Sequence, residues 1–579
     1  MIRIFLSAFF LLLFGQVYSQ INFVNKAGIA GINHTYPIHM GAGGVSFVDF
    51  DGDGLDDLSL GTGPTESIHF YRNLGGSFQK IFLVQTSALI KSVLWADFDN
   101  DGDKDLFAVG FDDHNHLWEN QGNLNLVEIT DAAGLPMTIK RCYGANFADV
   151  NRDGWLDLYY AERKAAGEMT DNQMRLFLNN ADGTFTDATD EWNAGDVGKT
   201  PFCATFFDCN NDKWPDLYIA NDKATINTLL VNTGNAFEDK SDTSGTALAM
   251  NSMCVAISDF DKNSYTDIYV TNTEEGGALL VNEDGNSFSE QAGALGVSFA
   301  GGIGWGSSFI DADNDTWEDL YISGMIGGSD VLSSAFYQNS LGTFLPDMAQ
   351  GFVGDTVTSF GNAIGDYNND GFADIIVSNW PPAKAQLWSN ETQTDNHWVK
   401  VELEGVLSNR DGIGAKVCVY PLDSDYTCHY TTCGIGFLGQ NSTQLMFGLG
   451  SSTEIDFIEV TWPTGHIDMI MNPEIDQLHS VLEGSTTDGV IEVDDDITIV
   501  TDVQIEYPTF ETLDIFPNPG SSQVFIQAYD KGVIDIIDVN GKYLRSMRIE
   551  GSLLDVSFLP DGIYFLKTRS GKVGKFVKS

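Results

Sequence analysis

Asp49-Phe50-Asp51-Gly52-Asp53-Gly54-Leu55-Asp56-Asp57 is an acidic loop that runs directly into an apolar stretch, and the chain repeats this arrangement seven times. The pattern is Asp-x-Asp/Asn-x-Asp/Asn-x-x-x-Asp, and the later copies start at Asp97, Asp149, Asp208, Asp259, Asp311 and Asp366. Successive starts lie 48, 52, 59, 51, 52 and 55 residues apart. A regular period near this length in β-rich sequence means one supersecondary unit repeated, which predicts propeller blades.

Working outward from the loop, each unit reads alike. A strand of small and apolar residues comes first (43–48, 203–207, 304–310), then the loop, then a second strand (216–220, 319–323). A third strand ends in Asn, as in Phe70-Tyr71-Arg72-Asn73, Leu176-Phe177-Leu178-Asn179 and Leu229-Leu230-Val231-Asn232. A turn such as Ala181-Asp182-Gly183-Thr184 leads to a fourth strand at Phe185. Four strands per unit make a blade, so residues 20–395 are expected to form a seven-bladed β-propeller in an all-β chain. The segment 23–28 reads as a fourth strand with no blade before it, while the seventh unit has its third strand at 386–390 and no fourth. The N-terminal strand is therefore expected to close the seventh blade, which would remove two open sheet edges.

The loops carry the chemistry of a hard cation. Ca²⁺ takes six to eight oxygen ligands, and a loop with oxygens at alternating positions can wrap it. The expected ligands, at positions 1, 3, 5 and 9, are Asp49, Asp51, Asp53 and Asp57 in the first copy and Asp97, Asp99, Asp101 and Asp105 in the second. The third offers Asp149, Asn151, Asp153 and Asp157, the fourth Asp208, Asn210, Asp212 and Asp216. The fifth offers Asp259, Asp261, Asn263 and Asp267, the sixth Asp311, Asp313, Asp315 and Asp319, the seventh Asp366, Asn368, Asp370 and Asp374. Up to seven calcium ions are expected. Without a cation, each close carboxylate pair would repel by about 4 kcal/mol at an effective dielectric near 20. These are not EF-hands, because position 12 is never Glu and a strand follows, as at Leu158-Tyr159-Tyr160. Position 6 is Gly54, Gly102, Gly154 and Gly371 in four copies but Lys213, Ser264 and Thr316 in the others, and the fifth loop is expected to be weakest. The role expected is structural: with calcium near 1 mM and a Kd of about 0.1 mM, each site adds about 1.4 kcal/mol.

The formal net charge of the 579-residue chain is −52. This argues against nucleic acid and against anionic membranes, whose recognition needs a basic surface. Residues 1–19 read as a secretory signal: Arg3, an apolar run over 4–14, then Val17-Tyr18-Ser19 before Gln20. That run is too short to span a bilayer well and no later segment does so, so no transmembrane segment is expected. Export to the cell surface or medium permits disulfides. Of seven cysteines, Cys418, Cys428 and Cys433 cluster, and one disulfide among them is expected; Cys142, Cys203 and Cys254 precede acidic loops and read as small buried hydrophobes.

The seven loops and the Asn-x-Gly…Phe turn resemble the FG-GAP and VCBS propeller repeats, also found in integrin α-subunits. Residues 396–485 differ. Their alternating His397-Trp398-Val399-Lys400-Val401-Glu402-Leu403 is followed by Ser408-Asn409-Arg410-Asp411-Gly412-Ile413-Gly414, Phe437-Leu438-Gly439-Gln440-Asn441, Phe447-Gly448-Leu449-Gly450 and Trp462-Pro463-Thr464-Gly465. Together these resemble the ASPIC/UnbV domain of the cartilage acidic protein family and its bacterial relatives. That family hands over no catalytic residue, and Asn409-Arg410 reads as a turn. Residues 486–508 read as a linker. From 509 the chain shows Ile515-Phe516-Pro517-Asn518-Pro519, Asn540-Gly541-Lys542 and Leu559-Pro560-Asp561-Gly562-Ile563-Tyr564-Phe565. Residues 509–579 resemble the type A C-terminal sorting domain of the type IX secretion system of Bacteroidetes, which implies that secretion machinery as a partner.

No phosphate-binding Gly-rich loop, nucleophile elbow or His-Glu-x-x-His pattern is present. His114-Asn115-His116 with Asp112 or Asp113 could hold a transition metal, against the plainer reading of an exposed loop. The leading functional expectation is a secreted or cell-surface calcium-binding propeller for adhesion or capture of a glycan or protein ligand. Trp305, Trp317, Trp380 and Trp388 are candidates for stacking on sugars, against the plainer reading of core. Two other readings stand beside it. One is an extracellular polysaccharide-acting enzyme such as a lyase, which would show a Lys, Tyr or His beside an Arg on one propeller face. The other is a scaffold with no ligand site.

Overall fold

The computed structural model describes residues 21–486, apart from short stretches at 37–42, 64–65, 87, 164–171, 327–333, 346–351 and 353–354, and the strands within 515–578. The expected signal peptide and nearly all of the expected linker lie outside the described residues. Residues up to Glu492 form one compact unit and those from Val493 a second.

The first unit contains seven antiparallel sheets, one per acidic loop. The first runs Val45–Val48, Asp57–Leu60, His69–Asn73, Phe78–Ile81 in order. Every second strand begins on the ninth residue of its loop, as at Asp105, Asp157, Asp216 and Asp374. The first strands, such as Ile90–Ala96 and Pro201–Phe207, are buried along their whole length. Both of their faces meet neighbouring sheets, so they carry continuous apolar and small residues instead of alternation. Each first strand packs against that of the next sheet, and Val45–Val48 packs against Ser359–Gly365 of the last, so the set forms a closed ring. The N-terminal strand Phe23–Asn25 pairs with Gln386–Asn390, with Phe23 opposite Asn390, and supplies the fourth strand of the seventh sheet. In the sixth sheet, Thr343–Phe344 pairs only with Asn339–Ser340 and stands apart from the three longer strands.

Residues 397–482 build a second layer pair. One sheet joins Leu445–Gly450, His397–Glu404 and Leu478–Leu482; the other joins Thr427–Tyr430, Lys416–Pro421, Ile455–Thr461 and Ile467–Met471. Val399, Val401, Val417, Val419, Phe447, Ile458, Val460 and Trp462 fill the space between them. Cys418 and Cys428 are cross-strand partners and form a disulfide, while Cys142, Cys203, Cys209, Cys254 and Cys433 are free and buried.

A segment of this second domain enters the propeller. Gly439–Gln440 adds to Val45–Ser46 as a parallel strand. Phe147 N donates to Cys433 O (3.0 Å), Gly436 N to Val255 O (3.2 Å) and Ser442 N to Ile364 O (2.8 Å). The segment thus bonds to the first strands of the first, third, fifth and seventh sheets. Gln440 adds the second: its Oε1 accepts from Trp95 N (2.8 Å) and its Nε2 donates to Trp95 O (2.7 Å). At the tip, Phe437 packs against Trp305 (5.2 Å between centroids) and Phe202 (5.8 Å) in one cluster with Phe360 and Met253. The propeller axis is a plugged core and not an open channel.

The second unit has a three-stranded sheet (Ile515–Phe516, Gln523–Ile526, Leu553–Asp555) and a four-stranded one (Tyr543–Glu550, Lys531–Asp538, Gly562–Thr568, Val573–Lys578). Val524, Ile526, Ile534, Ile536, Leu554, Leu566 and Phe576 form its core.

Gln440 is fully buried, so removing its amide strands both polar groups of the Trp95 backbone. Gln440→Ala is expected to destabilise the first unit by about 3 kcal/mol, given about 1–3 kcal/mol for each buried group left unsatisfied. Urea unfolding of wild type and variant in calcium checks this; equal midpoints would show that the plug contributes nothing.

Candidate metal loops and candidate ligand face

The seven acidic loops share one backbone construction. Taking the third, Asp149 Oδ1 accepts from Asp153 N (3.0 Å) and Asp149 Oδ2 from Gly154 N (2.9 Å), while Asp153 Oδ1 accepts from Trp155 N (3.0 Å). The bond from the sixth N–H to the first carboxylate recurs from Gly54, Gly102, Lys213, Ser264, Thr316 and Gly371. Position 6 is left-handed in every copy, including Lys213 (φ 72°), Ser264 (φ 76°) and Thr316 (φ 82°). The β-branched Thr316 bears the greatest strain of the three. Position 4 is left-handed too, at Asn100, Arg152, Asn211, Lys262, Asn314 and Asn369 as well as Gly52, which explains the preference there for Asn. Sequence reasoning missed this position.

The predicted ligands gather as follows. One ligand oxygen from each of Asp49, Asp51 and Asp53 lies within 4.8 Å of the other two, and the same holds for Asp97, Asp99 and Asp101, for Asp311, Asp313 and Asp315, and for Asp259, Asp261 and Asp267. In the third, fourth and seventh loops the third-position amide reaches the fifth-position carboxylate: Asn151 to Asp153, Asn210 to Asp212 and Asn368 to Asp370, at 2.8–2.9 Å. Asp51 Oδ1, Asp259 Oδ1 and Asp267 Oδ2 are buried with no hydrogen-bond partner among the described residues. An all-oxygen donor set with unpartnered buried oxygens suits a hard divalent cation.

The ninth residue does more than face the loop. Asp157 Oδ2 accepts from Val150 N (2.9 Å) and Oδ1 from Asn179 N (2.9 Å). The bond from the strand-ending Asn recurs at Asn73, Asn120, Asn232, Asn282, Asn339 and Asn390, to Asp57, Asp105, Asp216, Asp267, Asp319 and Asp374. The side chains of all of these asparagines but Asn120, which bonds Lys104 O of its own loop, then reach outward. Asn179 Nδ2 donates to Phe98 O of the preceding loop (2.8 Å), and Asn73 Nδ2 to Tyr367 O of the seventh (2.8 Å). Burial first, and neighbouring carboxylates second, push Asp57 up to about 8, and burial likewise pushes Asp105 up to about 9.

The second domain sits on the loop side of the propeller. Arg152 Nε donates to Pro463 O (2.5 Å), Asp411 accepts from Asp97 N (2.9 Å) and pairs with Lys104 (2.8 Å), and Ser442 bonds Asp56 (2.8 Å). In the seventh loop the buried Lys400 ammonium lies 3.0 Å from Asp366 Oδ2. Asn409 is a buried turn residue whose amide bonds both backbone groups of Ile413. A cavity of about 370 Å³ between the domains is lined by Phe206, Asp208, Lys416, Cys418, Tyr420 and Tyr430.

The opposite end of the propeller carries a different cluster, at the starts of first strands and the ends of second ones. Arg163 lies over Tyr143 (5.0 Å) and Phe202 (4.5 Å), and Arg141 over Phe111 (5.4 Å). The buried Lys91 Nζ is 5.4 Å from the Phe111 ring and 5.8 Å from that of Tyr143, and burial pushes its pKa down to about 7. Arg163 Nη2 is 3.6 Å from Asp222, and its Nη1 is buried without a hydrogen-bond partner among the described residues. None of these residues stood among the expected sites; only their assembly from three sheets marks them. Of the four tryptophans considered for sugar stacking, Trp305 lies under Phe437 and Trp388 packs on Phe352, both buried, and Trp317 is covered by Lys262. Trp380, 36% exposed, retains an open ring.

Comparisons with known proteins agree with this architecture. The FG-GAP-like repeat description matches residues 49–108, 97–160, 165–219 and 208–270. The ASPIC and UnbV description matches 405–488, and the secretion system C-terminal sorting domain matches 514–579. Cartilage acidic protein 1 of Xenopus tropicalis is 28% identical over 25% of this chain and 22% of its own length. The Homo sapiens protein of that name is 30% identical over 21% and 18%. The chain therefore spans about a fifth of the length of the curated relatives it matches. Among solved structures, BBS1N in complex with ARL6DN covers 65% of this chain and 98% of its own at 10% identity with a TM-score of 0.42. The Cps50 (Swd1) β-propeller domain of Myceliophteria thermophila covers 62% and 99% at 11% identity with a TM-score of 0.38. The chain carries FG-GAP-like repeats in a β-propeller, an ASPIC/UnbV domain and the sorting domain that directs export by type IX secretion to the cell surface or the extracellular space.

Proposed function

We propose that the exported chain is a calcium-loaded propeller that captures an extracellular glycan or protein on the end opposite its acidic loops. The observation that carries this reading is the division of labour between the two ends. The loop end is built of carboxylates and covered by the second domain, which excludes a large ligand there. The other end gathers Arg141, Arg163, Tyr143 and Phe111 above the buried Phe202, with Arg141 exposed and Phe111 and Tyr143 half-buried. Aromatic faces and guanidinium groups recognise sugars and acidic groups by stacking and by charge-assisted hydrogen bonds. Calcium fills loops whose ligands are Asp49, Asp51, Asp53, Asp57 and their counterparts, with loop oxygens left for it as described above. Its role is to hold the ring.

A second reading, an extracellular polysaccharide lyase, is favoured by the convergence of Lys91, Tyr143 and Arg163. Proton abstraction next to a carboxylate pairs a base with an arginine; Tyr143 lies against Arg163 at this face, with Lys91 fully buried beneath it.

Three outcomes are expected. Calcium removal leaves mutually repelling buried carboxylates, so chelator is expected to lower the melting temperature, by about 10 °C if all the sites of about 1.4 kcal/mol each are lost. In calcium-free buffer the pH trend follows from the raised Asp57 and Asp105. Their folded forms bind protons more tightly than an unfolded Asp near 3.9, so the stability these two contribute is fully present below about 4 and is lost as pH rises through about 8 to 9. Melting scans with and without calcium across that range check both points, and a chelator-insensitive melt would refute the calcium reading. Finally, glycan-array binding by the calcium-loaded protein is expected to vanish in chelator and to weaken about tenfold or more in Arg163→Ala. Release of unsaturated uronate products from a polysaccharide would favour the lyase instead.

A further inference from the structure

The acidic loops offer oxygen only, but one cluster on the second blade offers nitrogen. It comes from the connection between Asp105–Gly110 and His116–Asn120 and from the end of the outer strand Leu126–Glu128. Two of its residues are fixed by the fold alone. Asp112 Oδ1 accepts from Leu89 N (2.7 Å) and Asn115 Oδ1 from Gly110 N (3.1 Å). Pinning these two leaves Asp113, His114 and His116 directed together, with one ligand atom of each within 4.8 Å of the others.

The imidazoles are oriented in a specific way. His114 Nδ1 lies 2.8 Å from Asp113 Oδ1, and His116 Nδ1 lies 2.8 Å from Glu128 Oε1. The rings are 4.3 Å apart between centroids, and His116 also stacks on Trp118 at 5.1 Å. His114 Nε2 and His116 Nε2 are both buried and lack a hydrogen-bond partner among the described residues. A carboxylate on Nδ1 fixes the tautomer that leaves Nε2 with its lone pair, which is how metal-binding histidines are held. Two buried imidazole nitrogens without a hydrogen-bond partner among the described residues are costly in a folded protein unless something else fills them. Glu128 Oε1, which holds His116 Nδ1, is also 3.5 Å from His114 Nε2, so one carboxylate oxygen faces both rings.

We propose that His114 and His116, supported by Asp113 and Glu128, bind one borderline divalent cation of the Zn²⁺, Cu²⁺ or Ni²⁺ class, separate from the acidic loops. Ligand softness sorts the ions: imidazole nitrogen suits these metals, whereas Ca²⁺ takes oxygen. The chain then carries two kinds of metal site that do not compete. Asp113 and Glu128 act as positioning residues or as additional oxygen ligands, and water completes the coordination.

The test uses the full chain saturated with calcium, so that the loops are occupied. Zn²⁺ titrated calorimetrically is expected to bind at one equivalent, and the double variant His114→Ala with His116→Ala is expected to weaken this by about 100-fold or more while calcium stoichiometry and melting temperature in calcium stay unchanged. Zn²⁺ binding of equal strength in wild type and variant overturns the proposal, as does no binding by wild type in excess calcium. Should the variant fold poorly, Co²⁺ added to calcium-loaded wild type decides the matter. Visible bands of nitrogen-ligated cobalt support the site, and a spectrum no different from cobalt in buffer overturns it.

Discussion

The structure hangs on a hydrogen bond made seven times, from the backbone N–H of a strand-ending asparagine to the last aspartate of the acidic loop. It fixes the loop against its own blade, and in six of the seven blades the asparagine amide then reaches across to the neighbouring loop, as Asn179 does to Phe98 and Asn232 to Val150 at 2.8 Å each. Loop shape and blade packing are consequently one property. The aspartates concerned are buried, so their charge is costly unless a cation or a proton balances it. That cost is why the proposed calcium ions would matter to the ring more than any single apolar contact.

The two ends of the propeller have diverged around this constraint. At the loop end, the second domain contacts the acidic loops of most blades and sends the segment around Phe437 and Gln440 into the axis. Gln440 holds the first and second sheets together, bonding Trp95 on one side and Ser46 Oγ (3.2 Å) on the other. At the other end lie the arginines and aromatic rings. Lys91 beneath them is buried at a register shift between Ile90 and Val93, where the strand departs from regular pairing. Bulges of this kind redirect side chains near functional sites.

Much of this was legible in the sequence because it is local. Loop, strand, strand and terminal asparagine recur at a nearly constant period, and Gly54, Gly102, Gly154 and Gly371 mark the turn that the structure shows as left-handed. What was not legible depends on contacts between distant residues. The sequence shows that the third strand ends in Asn73, but not that Asn73 reaches Tyr367, 294 residues away. Phe437-Leu438-Gly439-Gln440-Asn441 reads as a family signature, yet nothing in its own pattern says that it enters a propeller. Asp57 and its counterparts read as ligands; that they also staple the third strand appears only once the blade is assembled. Trp305 reads more plainly as core than as a sugar platform, and its packing against Phe437 agrees with the plainer reading.

The axial segment bears on the order of assembly. The ring is sealed by Phe23 meeting Asn390, and the segment that fills it lies later still, around residue 440. A chain emerging N-terminus first therefore holds its earliest strand unpaired until most of the propeller has followed. Such distant pairings are slow to form and expose strand edges meanwhile. A truncation after residue 390 and before residue 440 would leave an annular shell with an unfilled apolar core, a defect that protein quality control can recognise. The same late insertion makes the propeller and the domain after it a latch, in which a domain made later locks one made first.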